Sequence, residues 1–136
     1  MRFVDTNIFL YKMLGRPFDR YERCSLLIDR LASGTEISAT SLIVVAEIIW
    51  VLSSVKGWAK ADVRGKIGAL CSLPGLRIVR GIDERDVSEA VRIYEELSVD
   101  FEDALNAILM KKNGIPEIYS FDRHFDRIPF LKRVIP

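Results

Sequence analysis

The hydrophobic residues of this chain change their spacing repeatedly, and that alternation restricts the possible fold most. Short apolar segments with strand character occur at 3–4, 36–39, 76–79, 117–121 and 131–135. Between them, apolar residues recur at helical spacing, as in 21–31 and 87–97. Strands separated by helices are joined by right-handed crossovers in a mostly parallel sheet. We therefore predict a three-layer α/β fold, with a central sheet of about five strands and helices on both faces.

Length and composition indicate one globular domain. A chain of 136 residues fits a single domain spanning residues 1–136. Hydrophobic residues make up 49% of it, yet no apolar run approaches the roughly 20 residues that span a bilayer, so we predict no membrane partner. The first strand begins directly after Met1-Arg2, which leaves no room for a secretory signal and predicts a cytoplasmic protein. Because the net charge is only +1, attraction for a polyanion has to come from a local patch.

Two aspartates follow predicted strands directly. Asp5 comes after Phe3-Val4, and Asp122 comes after the segment 117–121. In parallel α/β folds ligands bind beyond the carboxyl ends of the strands, so both are candidate site residues. Equally, Asp5, Thr6 or Asn7 could only cap the following helix. Asp126 lies one turn after Asp122, where Arg123 or Arg127 can pair with it, so we predict a supporting role for Asp126.

Two further acids lie on predicted helices. Glu47 is the only charge in the segment 42–55, which is apolar on nearly every side. Because an ionised carboxylate there is costly without a partner, we expect a positive group to face Glu47; a solvated glutamate on a narrow exposed stripe is the alternative. Asp103 lies opposite the apolar stripe of a helix that begins near Asp100. That side is either solvated or the wall of a cleft, and Asp103 could simply complete a capping box.

The four acids Asp5, Glu47, Asp103 and Asp122 would repel one another if the fold gathers them. Like charges raise one another's pKa unless a cation neutralises them, and hard carboxylate oxygens select Mg²⁺ or Mn²⁺. The sequence therefore predicts a divalent metal site. Such a metal serves the hydrolysis of phosphodiesters.

The motifs that carry these acids resemble, in order and over nearly the whole chain, those of PIN-domain ribonucleases. They are Phe3-Val4-Asp5-Thr6-Asn7, the internal Glu47, Asp100-Phe101-Glu102-Asp103-Ala104 and Ser120-Phe121-Asp122-Arg123-His124-Phe125. The chain is especially similar to VapC-type toxins of toxin-antitoxin modules. The resemblance implies a metal-dependent ribonuclease whose acids are Asp5, Glu47, Asp103 and Asp122. It favours Asp103 over Glu102, because Asp103 directly precedes Ala104.

The resemblance also implies supporting residues and partners. Asn7 and Ser120 would support the acids by hydrogen bonding, and Ser120 keeps the hydroxyl of the threonine that the family often has there. If the chain is a toxin, the carboxyl-terminal segment of an antitoxin would cover the groove and offer Arg or Lys to the acids. A homodimer is implied too, and the unusually apolar residues 43–52 together with Trp58 indicate a surface for it. We expect RNA contacts from Lys12, Arg16 and Arg123, which border the acids along the chain.

Other functions remain open at this point. A phosphoryl-transfer enzyme of the haloacid dehalogenase type needs a second aspartate two residues after the first, where this chain has Asn7. A receiver-like phosphorylation domain uses a lysine near a late strand end, where this chain has Arg123. A PIN fold that acts as an RNA-processing nuclease or as a binding module, without a toxin role, is harder to separate. A metal-dependent RNA cleavage assay distinguishes the enzyme from the binding module.

Overall fold

The computed structural model describes all 136 residues and contains one five-stranded sheet. The strands are β1 Arg2–Val4, β2 Ser38–Thr40, β3 Leu76–Ile78, β4 Glu117–Tyr119 and β5 Lys132–Val134. Their order across the sheet is β3-β2-β1-β4-β5, and every neighbouring pair is parallel. The α/β architecture predicted from the alternation is confirmed.

Six α-helices connect the strands: α1 Thr6–Leu14, α2 Phe18–Ser33, α3 Leu42–Trp50, α4 Lys60–Cys71, α5 Glu84–Leu97 and α6 Phe101–Lys112. A π-helical turn, Val51–Val55, continues α3, and a 3₁₀ turn, Arg123–Arg127, precedes β5. The helix predicted over 42–55 is therefore α-helical only as far as Trp50. Asp83 caps α5, and Asp86 completes a reciprocal capping box.

The strand order reverses between β1 and β4. From β1 the chain moves to β2 and β3 on one side of the sheet, then crosses back to β4 and β5 on the other. Right-handed crossovers in opposite directions place their helices on opposite faces, so α1 to α4 cover one face and α5 and α6 the other. The connections after β1 and β4 diverge, which opens a crevice at the carboxyl ends of these two strands.

The core lies between the sheet and both helical layers. Phe3, Val4 and Ile118 of the two central strands are fully buried against apolar helix residues, and this burial is the main stabilising contribution. Gly75 lets the loop before β3 pass close to the end of α2. A Cβ at Gly75 would stand 2.1 Å from the Glu36 carbonyl oxygen and 2.8 Å from the Leu31 carbonyl oxygen, so no side chain fits there.

Helix α3 is buried on one side only. Val44 and Ile48 are fully buried, whereas Leu42, Ala46, Ile49 and Trp50 are exposed. A helix that is apolar on nearly every side is usually buried. This one stays partly exposed because α3 lies in an outer layer. None of the helices is both long and apolar enough to cross a membrane.

Candidate acidic active site

Asp5 stands at the junction of β1 and α1 and is only 5% exposed. Its Oδ1 accepts a hydrogen bond of 2.7 Å from the Thr6 backbone N–H, and its Oδ2 accepts one of 2.7 Å from the Ser120 hydroxyl. Asp5 is thus the cap of α1 and also a buried carboxylate at the reversal point of the sheet. The capping interpretation is confirmed, and the role of Asp5 as a site residue stays a prediction.

The Ser120 hydroxyl links the ends of the two central strands. Besides donating to Asp5, its oxygen accepts a hydrogen bond of 2.9 Å from the Asp122 backbone N–H. Asp122 begins the 3₁₀ turn, where its Oδ1 accepts from the His124 N–H at 2.8 Å. The acids after β1 and β4 are therefore held at one place by a single hydroxyl.

Glu47 reaches this place from α3. Its Oε2 accepts a hydrogen bond of 2.8 Å from the Thr6 hydroxyl. No Lys, Arg or His side chain pairs with Glu47, so the chain itself supplies no positive group there. A bound metal ion as that positive group stays a prediction.

Asp103 lies in the first turn of α6 and forms no side-chain hydrogen bond. The capping box with Asp100 is absent, since no side chain caps α6. Asn106 and Met110 on the same side of α6 are buried, so this side is not the solvated surface that the sequence left open. The Asn106 Oδ1 accepts a bond of 2.6 Å from the Ser41 hydroxyl, which also caps α3 through the Val44 N–H.

The four acids form one electrostatic cluster, which we call the acidic site. Burial raises the pKa of Asp103 to about 8, and the charges of Asp5, Glu47 and Asp122 add to the rise. Burial raises the pKa of Asp5 to about 7, the Ser120 hydrogen bond opposes this, and Glu47 and Asp122 raise it further. Burial also raises the pKa of Glu47, with contributions from the nearby charges of Glu102 and Asp100. Asp5, Glu47 and Asp103 are therefore costly to ionise, mainly because they are buried.

The donors of the acidic site suit a hard divalent cation. No three acidic, histidine or cysteine side chains lie close enough together to hold a metal ion as they stand. Carboxylates that repel one another lie apart unless a positive charge stands between them. The donor set consists of carboxylate oxygens, which are hard ligands, and it fits Mg²⁺ or Mn²⁺ rather than a softer metal.

The remaining predicted residues differ in their placement. Asn7 lines a cleft next to the acidic site together with Arg16, but its side chain forms no hydrogen bond within the chain. The Lys12 ammonium is held against α2, where it donates to the Ser25 hydroxyl at 2.6 Å and lies over the Tyr21 ring. Arg123 is exposed directly beside Asp122. The structure thus brings Asn7, Arg16 and Arg123 to the edge of the site and directs Lys12 elsewhere.

Asp126 has a partner that the sequence did not suggest. Arg133 of β5 contacts both of its carboxylate oxygens, at 2.9 and 3.0 Å, and this pairing lowers the pKa of Asp126. The expected partners were Arg123 or Arg127, and that assignment is wrong. Arg127 instead donates to the Ser98 carbonyl at 2.7 Å. Asp126 tightens the connection between the 3₁₀ turn and β5.

Sequence reasoning missed three residues that hold the acids in place. They are Thr6, which contacts Glu47, and the pair Ser41 and Asn106, which joins α3 to α6. A hydroxyl directly after a strand-end aspartate is the one local indication that could have identified Thr6.

Several known proteins share this fold. VapC20 of Mycobacterium tuberculosis, described as a sarcin-ricin loop cleaving toxin, gives a TM-score of 0.75 at 22% identity over 100% of both chains. VapBC2 of Rickettsia felis, crystallised with a promoter DNA fragment, gives 0.68 at 22% identity, covering 98% of this chain and 97% of that one. A toxin-antitoxin complex from Klebsiella pneumoniae gives a TM-score of 0.62 at 16% identity. The match covers 97% of this chain and 96% of that one.

Sequence comparison gives a consistent result. A VapC ribonuclease of Aquifex aeolicus is 22% identical over 130 residues, which cover 96% of this chain and 93% of that protein. A family model described as PIN domain matches residues 2–131, a span that includes all four acids. This chain therefore belongs to the PIN domain family.

Proposed function

We propose that this protein is a Mg²⁺- or Mn²⁺-dependent endoribonuclease that hydrolyses phosphodiester bonds of RNA. The observation that carries the proposal is that carboxylates from the ends of β1 and β4, from α3 and from α6 meet at one partly buried place, where Thr6 and Ser120 hold Glu47 and Asp5. Burial first, and the charges of Asp5, Glu47 and Asp122 second, raise the pKa of Asp103 there. A fold that needed these residues only for stability would gain nothing from gathering them. The similarity to a VapC ribonuclease supports the same activity.

Asp5, Glu47, Asp103 and Asp122 would hold the divalent cation. When bound, such a cation polarises a phosphodiester and offsets the negative charge that develops on it during hydrolysis. Its affinity depends on the charge of the four carboxylates, so each amide substitution weakens binding with little change of shape.

The chain itself supplies orientation. The Thr6 N–H and the Ser120 hydroxyl fix both oxygens of Asp5, and the Thr6 hydroxyl fixes Glu47. Side chains held in this way lose little freedom when the site closes on a ligand. Hydrolysis forms a bond from a water oxygen to phosphorus and breaks one phosphorus–oxygen ester bond, with a proton passing to the oxygen that leaves.

A toxin role is part of the proposal, because the similar structures include toxin-antitoxin complexes. The antitoxin's carboxyl-terminal segment would cover the acidic site and offer Arg or Lys to it, because cations offset the charge that raises the pKa of Asp103. Inhibition of cleavage by the protein encoded next to this one tests the role. A complex that leaves cleavage unchanged argues against this inhibition mode and favours an RNA-processing nuclease.

Self-association belongs to the same proposal. Leu42, Ile49 and Trp50 form an exposed apolar stripe on α3, with exposures of 60%, 39% and 60%. An isolated monomer would leave this stripe in water. A second copy that covers it would bury about 1,600 Å² in a typical stable interface.

The activity is tested by cleavage of single-stranded RNA with Mg²⁺ or Mn²⁺. Asp5→Asn and Glu47→Gln should reduce the rate most, and Asp103→Asn should be damaging too. Glu102→Gln is the matched control, because Glu102 is exposed and only neighbours the acids. EDTA should stop the reaction. Cleavage at full rate in EDTA would rule out the mechanism, and RNA binding without cleavage under any metal would favour the binding module.

A further inference from the structure

A cleft of about 680 Å³ lies between α1 and the π-helical turn that follows α3. We call it the cationic cleft and define it by Asn7, Tyr11, Arg16, Lys56 and Trp58. Asn7 directly follows Thr6, whose hydroxyl holds Glu47. The cationic cleft therefore begins where the acidic site ends.

The charges of this cleft are all of one sign. Arg16 and Lys56 are exposed, and neither takes part in an ion pair of the chain. No acidic residue lines the cleft. In a protein whose net charge is only +1, two uncompensated cations beside four carboxylates form a local polyanion site.

The cleft also offers rings and an unused amide. Trp58 and Tyr11 are half-buried and pack against the core. Proteins bind single-stranded nucleic acid with cations that contact the phosphates and with neighbouring aromatic rings that stack on the bases. The Asn7 amide can both donate and accept, and it has no partner within the chain.

The backbone holds Lys56 and Trp58 at the cleft. In the π-helical turn the Lys56 N–H bonds to the carbonyl of Val51, five residues earlier, at 2.9 Å. Gly57 then takes a left-handed φ of 68°, which suits glycine, and the Trp58 N–H returns to the Leu52 carbonyl at 2.9 Å. Widened turns of this kind occur often at functional sites.

We infer that the cationic cleft binds the single-stranded RNA segment that flanks the scissile phosphodiester. Arg16 and Lys56 contact its phosphates, and Trp58 stacks on a base. This inference rests on the proposed ribonuclease function. An antitoxin segment that offers Arg or Lys to the acids fits this cleft less well, because Arg16 and Lys56 repel it.

The chain has two tryptophans, so Trp50→Phe leaves Trp58 as the only one. A ten-nucleotide single-stranded RNA is titrated into this variant in EDTA, which removes metal-dependent cleavage from the measurement. We expect saturable quenching of Trp58 fluorescence. In labelled-RNA anisotropy, Arg16→Gln with Lys56→Gln should weaken binding about tenfold or more. The slope of log affinity against log salt should become smaller by about 1.4, at about 0.7 for each phosphate that the protein no longer neutralises.

The matched control is Lys60→Gln with Arg64→Gln, which removes the same charge from exposed positions of α4 outside the cleft. It should keep the parent's affinity and salt slope. Equal losses in both double variants, or a Trp58 signal that responds to a purified antitoxin and not to RNA, overturn the inference.

A parallel cleavage assay with Mg²⁺ separates the two proposals. If RNA is cleaved but the fluorescence of Trp58 does not change when RNA is added, the cleft inference fails and the nuclease proposal stands. If Trp58 fluorescence is quenched but no metal supports cleavage, the nuclease proposal fails, and of the cleft inference only the binding of single-stranded RNA stands.

Discussion

Asp122 and Asp126 carry the same charge on the same turn, but their surroundings differ. The backbone of Asp122 is bonded to the hydroxyl that holds Asp5, whereas both oxygens of Asp126 are taken by Arg133. Mutating an outer partner of a metal site typically lowers metal affinity or activity ~10–100-fold. Asp122→Asn should therefore lower them by at least that factor. Asp126→Asn should keep most activity and cost about 1 kcal/mol, since its carboxylate is half exposed although Arg133 is mostly buried.

Cleavage rate and melting temperature, measured for both variants over a range of Mg²⁺ concentrations, separate lost chemistry from misfolding. If folded Asp126→Asn is inactive while Asp122→Asn is active, the assignment of the fourth acid is reversed.

The raised pKa values of Asp5 and Asp103 predict how stability depends on pH. Both rise from an ordinary 3.8, to about 7 and about 8, so between these limits the folded state binds more protons than the unfolded state. The free energy of unfolding should therefore fall as pH rises through this window. In EDTA, the melting temperature should be lower at about pH 8 than at about pH 5.

Asp103→Asn removes one of the repelling charges without removing a hydrogen bond, so it should raise the melting temperature at the higher pH. A gain of about 1 kcal/mol corresponds to about 3–5 °C in a domain of this size. Mg²⁺ should stabilise the parent more than the variant, because it binds the charged site. Calorimetry in EDTA and in Mg²⁺ measures both effects. A parent melting temperature that does not fall over this pH range contradicts the prediction.

Helices α3 and α6, which carry Glu47 and Asp103, are tied together by Ser41 and Asn106. The Ser41 hydroxyl caps α3 and donates to the buried Asn106 amide oxygen. Ser41→Ala removes the cap and leaves a buried acceptor unpaired, so we expect a loss of about 1–3 kcal/mol. Urea unfolding measures it.

Ser53→Ala is the control for this tie. The Ser53 hydroxyl bonds only to backbone carbonyls of its own helix, at Ile49 and Trp50, so stability should change by less than about 0.5 kcal/mol. Ser41→Thr keeps the hydroxyl and should recover most of the loss. Equal stability of Ser41→Ala and the parent would mean that this tie is not needed to hold α3 and α6.

For the molecule as a whole, the exposed stripe of α3 predicts a homodimer. Trp50→Glu puts a charge at the centre of the proposed interface, and a buried unpaired charge opposes association. Light scattering should find twice the 15.5 kDa chain mass for the parent at micromolar concentration, and the single chain mass for the variant. Leu26→Glu changes an equally exposed leucine on α2 and should leave the dimer intact. A parent that is monomeric throughout defeats the proposal.

Hydrophobic spacing alone was sufficient to predict the parallel α/β fold and the approximate positions of its elements. This spacing can be read from each segment by itself, without knowing which other segments pack against it. Local order along the chain also identified Asp5 and Asp122, because a polar residue directly after a buried strand falls at one edge of any parallel sheet.

The contacts of each acid, and the apolar faces that stay exposed, depend instead on the tertiary structure. Thr6 and Glu47 are 41 residues apart, and Ser41 and Asn106 are 65 apart. The hydrogen bonds between them depend on how α1, α3 and α6 come together at the carboxyl ends of the strands, which no local pattern encodes. The same holds for Arg133 as the partner of Asp126 and for the exposed side of α3. An apolar helix has the same sequence whether its outer face meets protein or water.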